Sequence, residues 1–355
     1  RDQINGFSKL AEVFTIHSGR LPERSEDGAL LSNRVFWILH KIVKGITGNR
    51  NNFFGNYGIK KFLQKNRIEV VLSNYGISAA HLSPICKELR IPLLVIFHGH
   101  DATDQKLLKQ YKKKYQSLFK DAATIIVVSN DMKTRITSMG ASSAKVEVVP
   151  CGVDLTKFKP LPSNKIKMFL AVGRFVPKKG PLYTIRAFNE VWKKYPETKL
   201  IMVGAHKGLQ GECAALVNSL GMNQAVEFPG ILKQSEISDL MSKAVAFVQH
   251  SVTAPNGDME GTPVSIMEAG ASGLPIISTL HGGIKDAVIH EKTGFLVEER
   301  DVSVMATYMM KLLEEPELGP KLGSAGRQHT EVNYNQSKQV GKLFELAKAA
   351  TQKRI

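Results

Sequence analysis

From residue 68 onward, short apolar runs alternate with amphipathic stretches, and this alternation constrains the fold of the 355-residue chain more than any other feature. The runs I-E-V-V-L-S-N (68–74), P-L-L-V-I-F (92–97) and A-T-I-I-V-V-S (123–129) are nearly continuous in apolar residues. That is the pattern of parallel strands covered on both faces rather than half-exposed ones. Helices are predicted between them over 78–89 and 106–120, and upstream over 31–46 and 58–66, with A-E-V-F-T-I-H-S-G (11–19) as an earlier strand. The stretch F-K-P-L-P-S-N-K (158–165), with two prolines among polar residues, has the composition of a linker. Beyond it the alternation restarts, with strands predicted at 167–172, 199–203, 225–228, 244–248 and 275–278. Helices are predicted at 181–195, 212–219, 235–242, 263–271 and 301–314, and a last one near 336–350 is placed back against the first half. The fold class is therefore α/β, with two doubly wound parallel-sheet domains. Their expected bounds are 1–157 and 166–335, joined by the linker 158–165 and followed by a terminal segment 336–355. The first domain reads as lacking the strand that would precede its first helix, so the sequence is expected to begin downstream of that strand.

Charge narrows the partners. The chain carries 48 Lys and Arg against 32 Asp and Glu, a net +16. Residues 1–155 hold 23 basic against 13 acidic side chains, and the remainder 25 against 19, so the excess is concentrated in the first half. Such an imbalance calls for an anionic partner. Zinc-finger spacing and an RNP-like aromatic cluster are both missing, which argues against nucleic acid. An anionic membrane surface and a phosphate-bearing substrate both fit. The predicted helix 106–120 puts Leu107, Leu108, Tyr111, Tyr115, Leu118 and Phe119 on one face and six lysines elsewhere. It suits either a lipid surface or, as the commoner arrangement, a core-facing helix with a solvated outer face. No apolar run approaches the roughly 20 residues needed to span a bilayer, and the first residues have no signal-peptide layout. Three scattered cysteines, Cys86, Cys151 and Cys213, read as reduced thiols of a cytoplasmic protein.

The chemistry-bearing stretches fall at strand ends. In N-G-D-M-E-G-T-P-V-S-I-M-E-A-G-A-S-G (256–273), Thr262 suits an N-cap and Pro263 the first position of a helix that Gly273 and Pro275 terminate. The helix N-terminus offers a phosphate site. Glu268 follows about 7.5 Å further along the axis at 1.5 Å per residue, a separation that fits ribose hydroxyls beyond a diphosphate. Glu260 lies in the preceding loop, within reach of whatever hangs off the distal phosphate. In V-G-R-F-V-P-K-K-G-P (172–181), Arg174 and Lys179 project from a strand's carboxyl end, where they neutralise a diphosphate or form a solvated basic turn. F-P-G-I-L (228–232) is a turn that a flat base could meet. In H-G-H-D (98–101), His98 and His100 are spaced as half a metal site but lack a third ligand, so contact with a polar substrate is the preferred reading.

Taken together, these stretches resemble the retaining, family-4 type of nucleotide-sugar glycosyltransferases with the GT-B fold, of the bacterial polysaccharide-biosynthesis kind. The matching residues are G-R-F-V-P-K-K-G (173–180), E-G-T-P-V-S-I-M-E (260–268), G-L-P-I-I-S (273–278), G-G-I-K-D-A-V (282–288), T-G-F-L-V (293–297) and V-V-P-C-G-V-D (148–154). The resemblance implies two Rossmann-like domains facing a cleft. It assigns the diphosphate to Arg174 and Lys179, the ribose to Glu268, and the transferred sugar to Glu260 with backbone groups at Gly261, Thr262, Pro263 and Val264. Gly230 and Ile231 become the base-contacting turn, and His98 faces the reacting sugar. His100 and Asp101 become acceptor-side candidates. It further implies transfer from a nucleotide-diphosphate sugar to a saccharide or lipid-linked saccharide with neither metal nor cofactor, in the cytoplasm or peripherally at the inner membrane face. A GT-B-like nucleotide-sugar epimerase and a non-catalytic nucleotide-sugar-binding protein are the alternatives.

Overall fold

The computed structural model describes residues 2–17, 21–32, 37–38, 41–42, 53–161 and 166–352. Most of the helix expected over 31–46 lies outside the described residues. Of the stretch 11–19, residues 11–17 are described and do not join the main sheet: among them Ile16–His17 (β1) is a strand, paired antiparallel with Arg24–Ser25 (β2) as a separate ribbon. Its alternation of polar and apolar residues suits a ribbon with one wet face.

The first sheet consists of β3 (Val71–Asn74), β4 (Leu93–Phe97), β5 (Thr124–Val127) and β6 (Val146–Val148), all parallel and in chain order. Helices Gly76–Glu88 and Gln105–Asp121 pack together beside it. The latter buries Leu107, Tyr111, Tyr115, Leu118 and Phe119 and leaves all six of its lysines exposed, so the apolar face belongs to the core rather than to a lipid surface. The helix begins where the Asp104 side chain accepts the Leu107 N–H at 2.8 Å. Helix Gln336–Gln352 returns across the chain and inserts Leu343, Ala347 and Ala350 into this first core.

The second sheet consists of β7 (Met168–Val172), β8 (Lys199–Val203), β9 (Val226–Glu227), β10 (Ala246–Val248), β11 (Ile276–Thr279) and β12 (Gly294–Val297). Their spatial order is β9-β8-β7-β10-β11-β12 and every pairing is parallel. Counted within this unit the order is the 3-2-1-4-5-6 of a dinucleotide-binding sheet, with its reversal between β7 and β10. Ligands of such sheets sit outside the strands' carboxyl ends at that point. The segment after the first sheet is anchored rather than loose, because Phe158 is buried in the second core. Residues 162–165 of the expected linker lie outside the described residues.

Among the elements not anticipated are β12 and a glycine-rich helix. β12 is four residues long, too short to display a period. Helix Leu318–Asn333 contains Gly319, Pro320, Gly323 and Gly326, all poor helix formers. Tertiary contacts override that propensity: Arg327 donates to the carbonyls of Phe158 at 2.8 Å and Ala271 at 2.5 Å, and Gly323 lies flush against the Gly273 carbonyl. The returning helix generates a test. Leu343→Ala should cost about 2–5 kcal/mol, as buried leucine truncations do. Native-state hydrogen exchange should rise in β3–β6 and not in β7–β12; equal acceleration of both sheets would contradict this packing.

Candidate active site

The crevice between β7 and β10 is lined by Gly173, Arg174, Phe175, Lys179, Thr184 and Gln249, among others. Its geometry is set by a short helical turn, Pro177–Lys179, that stops at Gly180 with φ 53° before helix Pro181–Lys194 begins. A Cβ at Gly180 would overlap the His250 carbonyl, so the turn fits only with glycine there. The turn sends its two lysines to different partners. Lys178, 8% exposed, donates to Asp258 Oδ1 and to the Met259 carbonyl, both at 3.1 Å. Lys179 donates to Gln249 Oε1 at 3.2 Å and stands 3.3 Å from Glu260 Oε1. Burial holds the Lys179 ammonium below the usual lysine range. Glu260 opposes that shift, while Lys178 and Arg174 reinforce it. Arg174 is exposed, and its guanidinium makes no hydrogen bond or ion pair among the described residues.

Glu260 is buried, and its Oε1 forms an ion pair with the Lys179 ammonium at 3.3 Å but has no other partner among the described residues. Its backbone is better fixed than its side chain. The Glu260 N–H donates to His281 Nε2 at 3.0 Å, and His281 Nδ1 donates to Glu299 Oε1 at 2.6 Å. Glu299 also accepts the N–H and hydroxyl of Thr253, at 2.9 and 3.1 Å. Burial pushes the Glu299 carboxyl up, but the bonds from His281 and Thr253 outweigh it and hold the group below the usual range.

The helix after this loop is Val264–Ala271, one residue shorter at its start than expected. Thr262 is not its cap: the hydroxyl donates instead to the Val128 carbonyl of the first sheet at 2.5 Å. Pro263 takes the cap position and offers no side-chain acceptor. The N–H groups of Val264 and Ser265 therefore have no acceptor among the described residues, which leaves them available to an anion. Val264, 46% exposed, and Glu268 share one helix face. The Glu268 carboxyl has no partner among the described residues, and burial pushes its pKa up to about 7. Gly230 (φ 81°) accepts the Gly204 N–H at 2.9 Å, which turns the chain after β9 and leaves Ile231 79% exposed.

Across the cleft, His98 follows β4. Its Nε2 donates to Asn74 Oδ1 at 2.8 Å and its ring stands 4.8 Å from that of Tyr75. Burial lowers its pKa, with Asp101 opposing. A Cβ at Gly261 would overlap the His98 carbonyl, so the two domains touch here backbone to backbone. Asp101, expected on the acceptor side, is instead fully buried. It accepts the N–H groups of His98, Gly99 and Gly76 at 3.0, 3.1 and 2.8 Å, which makes it scaffold. His100 is exposed but sits at the domain junction, with Nδ1 3.8 Å from Asp104 and 3.9 Å from Asp258, one carboxylate from each domain. Among the described residues, no three His, Cys, Asp or Glu side chains form a metal-ligand set. Sequence reasoning missed Lys178, Gln249, Asp258, His281 and Glu299. Lys178, beside Lys179, and Asp258, two residues before Glu260, had a local signal; strand order brings the others together.

With this geometry in view, the matches to known families become interpretable. Residues 153–329 match the glycosyl transferases group 1 family, and residues 11–157 match glycosyltransferase family 4. The chain belongs to the family-4-type GT-B glycosyltransferases. It is 31% identical over 279 residues to WcaL of Escherichia coli, a candidate colanic acid biosynthesis glycosyltransferase, covering 76% of this chain and 68% of WcaL. It is 28% identical over 347 residues to the amylovoran biosynthesis glycosyltransferase AmsK of Erwinia amylovora, covering 92% of this chain and 84% of AmsK. The solved structure of Anabaena HepE with UDP and glucose superposes with a TM-score of 0.71 at 20% identity, over 82% of each chain.

The elevated Glu268 pKa gives this glycosyltransferase a measurable signature. Its folded-state value of about 7 lies above the ordinary 4.5, so the associated stability is complete below pH 4.5 and is lost as pH rises through 7. Glu268→Gln should therefore flatten the fall in Tm between pH 5 and 8. At pH 8 it should stabilise the ligand-free protein by up to roughly 3 kcal/mol. A wild-type Tm that is flat over this range would contradict the buried, unpaired state of this carboxyl.

Proposed function

We propose that this glycosyltransferase moves a sugar from a nucleoside-diphosphate sugar to a hydroxyl of a saccharide or lipid-linked saccharide, with retention of anomeric configuration and without a metal. The observation that carries the reading is one cluster at the β7/β10 crevice. There the unpaired Arg174 guanidinium and the Lys179 ammonium share the lining, Lys179 reaches Glu260 at 3.3 Å, and the chain runs on from Glu260 into the open N-terminus of helix Val264–Ala271, which carries the unpaired Glu268 carboxyl.

In this reading the diphosphate lies against Arg174, Lys179 and the N–H groups of Val264 and Ser265. These cations and dipoles stabilise the charge that develops as the phosphate departs, the part otherwise played by a divalent ion. Glu268 accepts the ribose hydroxyls, with the nucleoside base near Gly230 and Ile231. Glu260, held by its backbone to His281, takes a hydroxyl of the transferred sugar at its carboxylate. His98 approaches that sugar from the first domain. The leaving phosphate oxygen then accepts the proton of the acceptor hydroxyl, which attacks the same face of an oxocarbenium-like sugar. The names of WcaL and AmsK, and the UDP and glucose bound to HepE, support a role in polysaccharide or glycolipid biosynthesis. The six exposed lysines of helix Gln105–Asp121 support an acceptor presented at an anionic membrane face. No helix among the described residues is long and apolar enough to cross a membrane.

Nucleotide release from UDP-, GDP- and ADP-sugars, measured with and without EDTA, tests the reaction, and proton NMR of the product's anomeric signal tests its stereochemistry. Release should survive EDTA and the product should keep the donor's anomeric configuration. Lys179→Ala should lower kcat about 10²–10³-fold, as loss of one charge-stabilising group does. An inverted product would overturn retention, and no release from any donor would sink the transferase reading.

A further inference from the structure

The most strained side chain beside the reacting groups is Tyr75. It follows β3 directly, and its φ of 71° and ψ of 128° lie outside the left-handed helical well that L-residues occasionally occupy. A tyrosine is an unfavourable residue for such a backbone, and glycine would adopt it freely. The conformation is nonetheless fixed from three sides. The Tyr75 N–H donates to the Ile96 carbonyl at 2.9 Å, and the next N–H, of Gly76, donates to the buried Asp101 carboxylate at 2.8 Å. A side chain at Gly76 would overlap the Phe97 ring, so the chain must turn here.

The outcome is an aromatic ring lifted out of the fold. Tyr75 remains 51% exposed, with its centroid 4.8 Å from the His98 ring and an interplanar angle of 50°. Asn74, immediately before it, anchors His98 Nε2 at 2.8 Å. Packing has no use for a ring that is half in solvent, and the backbone gains nothing from a Cβ at this φ. What remains is an open, flat apolar face beside the histidine that approaches the transferred sugar, on the sheet opposite the diphosphate crevice.

We infer that Tyr75 is the stacking platform of an acceptor subsite, which takes the C–H face of a pyranose against its ring and so brings that sugar's hydroxyl towards His98 and the donor. The chemical class recognised is a pyranoside, and the inference rests on the transferase reading above. Aromatic faces suit this task because they bury the apolar side of a sugar without demanding a particular hydroxyl pattern. Asn74, already bonded to His98, provides the neighbouring polar edge.

The test uses the whole protein saturated with UDP or GDP, whichever it binds. Methyl glycosides of glucose, galactose, mannose and N-acetylglucosamine are screened by saturation-transfer NMR, and the tightest binder is titrated against the wild type, Tyr75→Phe and Tyr75→Gly. Tyr75→Phe should bind within about twofold of the wild type, and Tyr75→Gly about tenfold more weakly or worse, with a much smaller change in nucleotide Kd. Because glycine relaxes this φ, the Tm of Tyr75→Gly should not fall, which separates loss of the ring from loss of the fold. Equal glycoside affinity in Tyr75→Gly would overturn the inference, as would a loss in Tyr75→Phe as large as in Tyr75→Gly, or failure of the wild type to bind any of the four glycosides. Failure to bind either nucleotide would bring down the transferase reading itself, whereas nucleotide binding without Tyr75-dependent glycoside binding would overturn only this subsite.

Discussion

The loop from Ala254 to Pro263 is the constraint on which the cleft depends, because it is held by both sheets at once. From the second domain, Lys178 grips Asp258 and the Met259 carbonyl, and His281 takes the Glu260 N–H. From the first, the Thr103 hydroxyl accepts the Met259 N–H at 3.1 Å, and Asp104 accepts the Asn256 amide at 2.7 Å. The Thr262 hydroxyl reaches the Val128 carbonyl, and Gly261 lies directly on the His98 carbonyl. Glu260 therefore has no freedom independent of the domain arrangement. Its carboxylate is placed by two folds that share no hydrogen-bonded strand.

The polar groups of the cleft are costly to bury. Glu260 buries an oxygen without a hydrogen bond, Glu268 is half-buried and unpaired, and Lys179 is an almost enclosed ammonium beside two further cations. Leaving such groups unsatisfied costs stability that a packed apolar core would not. The expense is confined to strand ends, while the sheets behind them are ordinary apolar cores.

Much of this was legible in the sequence wherever local physics decided the outcome. The buried strands were visible because a strand covered on both faces must be apolar throughout, and 199–203 was delimited to the residue. The segments carrying Arg174, Lys179, Glu260 and Glu268 were legible because glycine and proline punctuate them. Errors arose where a distant partner outcompeted a local one. Thr262 has the side chain of a cap, yet Val128 claims it. Asp101 looks like a cleft carboxylate, yet three backbone N–H groups consume it. The His281–Glu299 pair that steadies Glu260 is separated by a whole helix and strand, so no spacing rule could reveal it. Helix Leu318–Asn333 was hidden by its glycines, which serve close packing rather than flexibility.

The helix Gln336–Gln352 has a consequence for synthesis. Its residues Leu343, Ala347 and Ala350 belong to the core of the first sheet, whose last strand ends at Val148. A ribosome must therefore build the entire second sheet before the first one receives its final covering. The amino-terminal domain emerges with an apolar face uncovered for some 190 residues of translation, roughly ten to forty seconds at ordinary elongation rates. During that interval the whole second sheet is synthesised. Completion of the first core thus waits for the helix Gln336–Gln352, and the part of the chain made earlier is the one whose apolar face stays open longest.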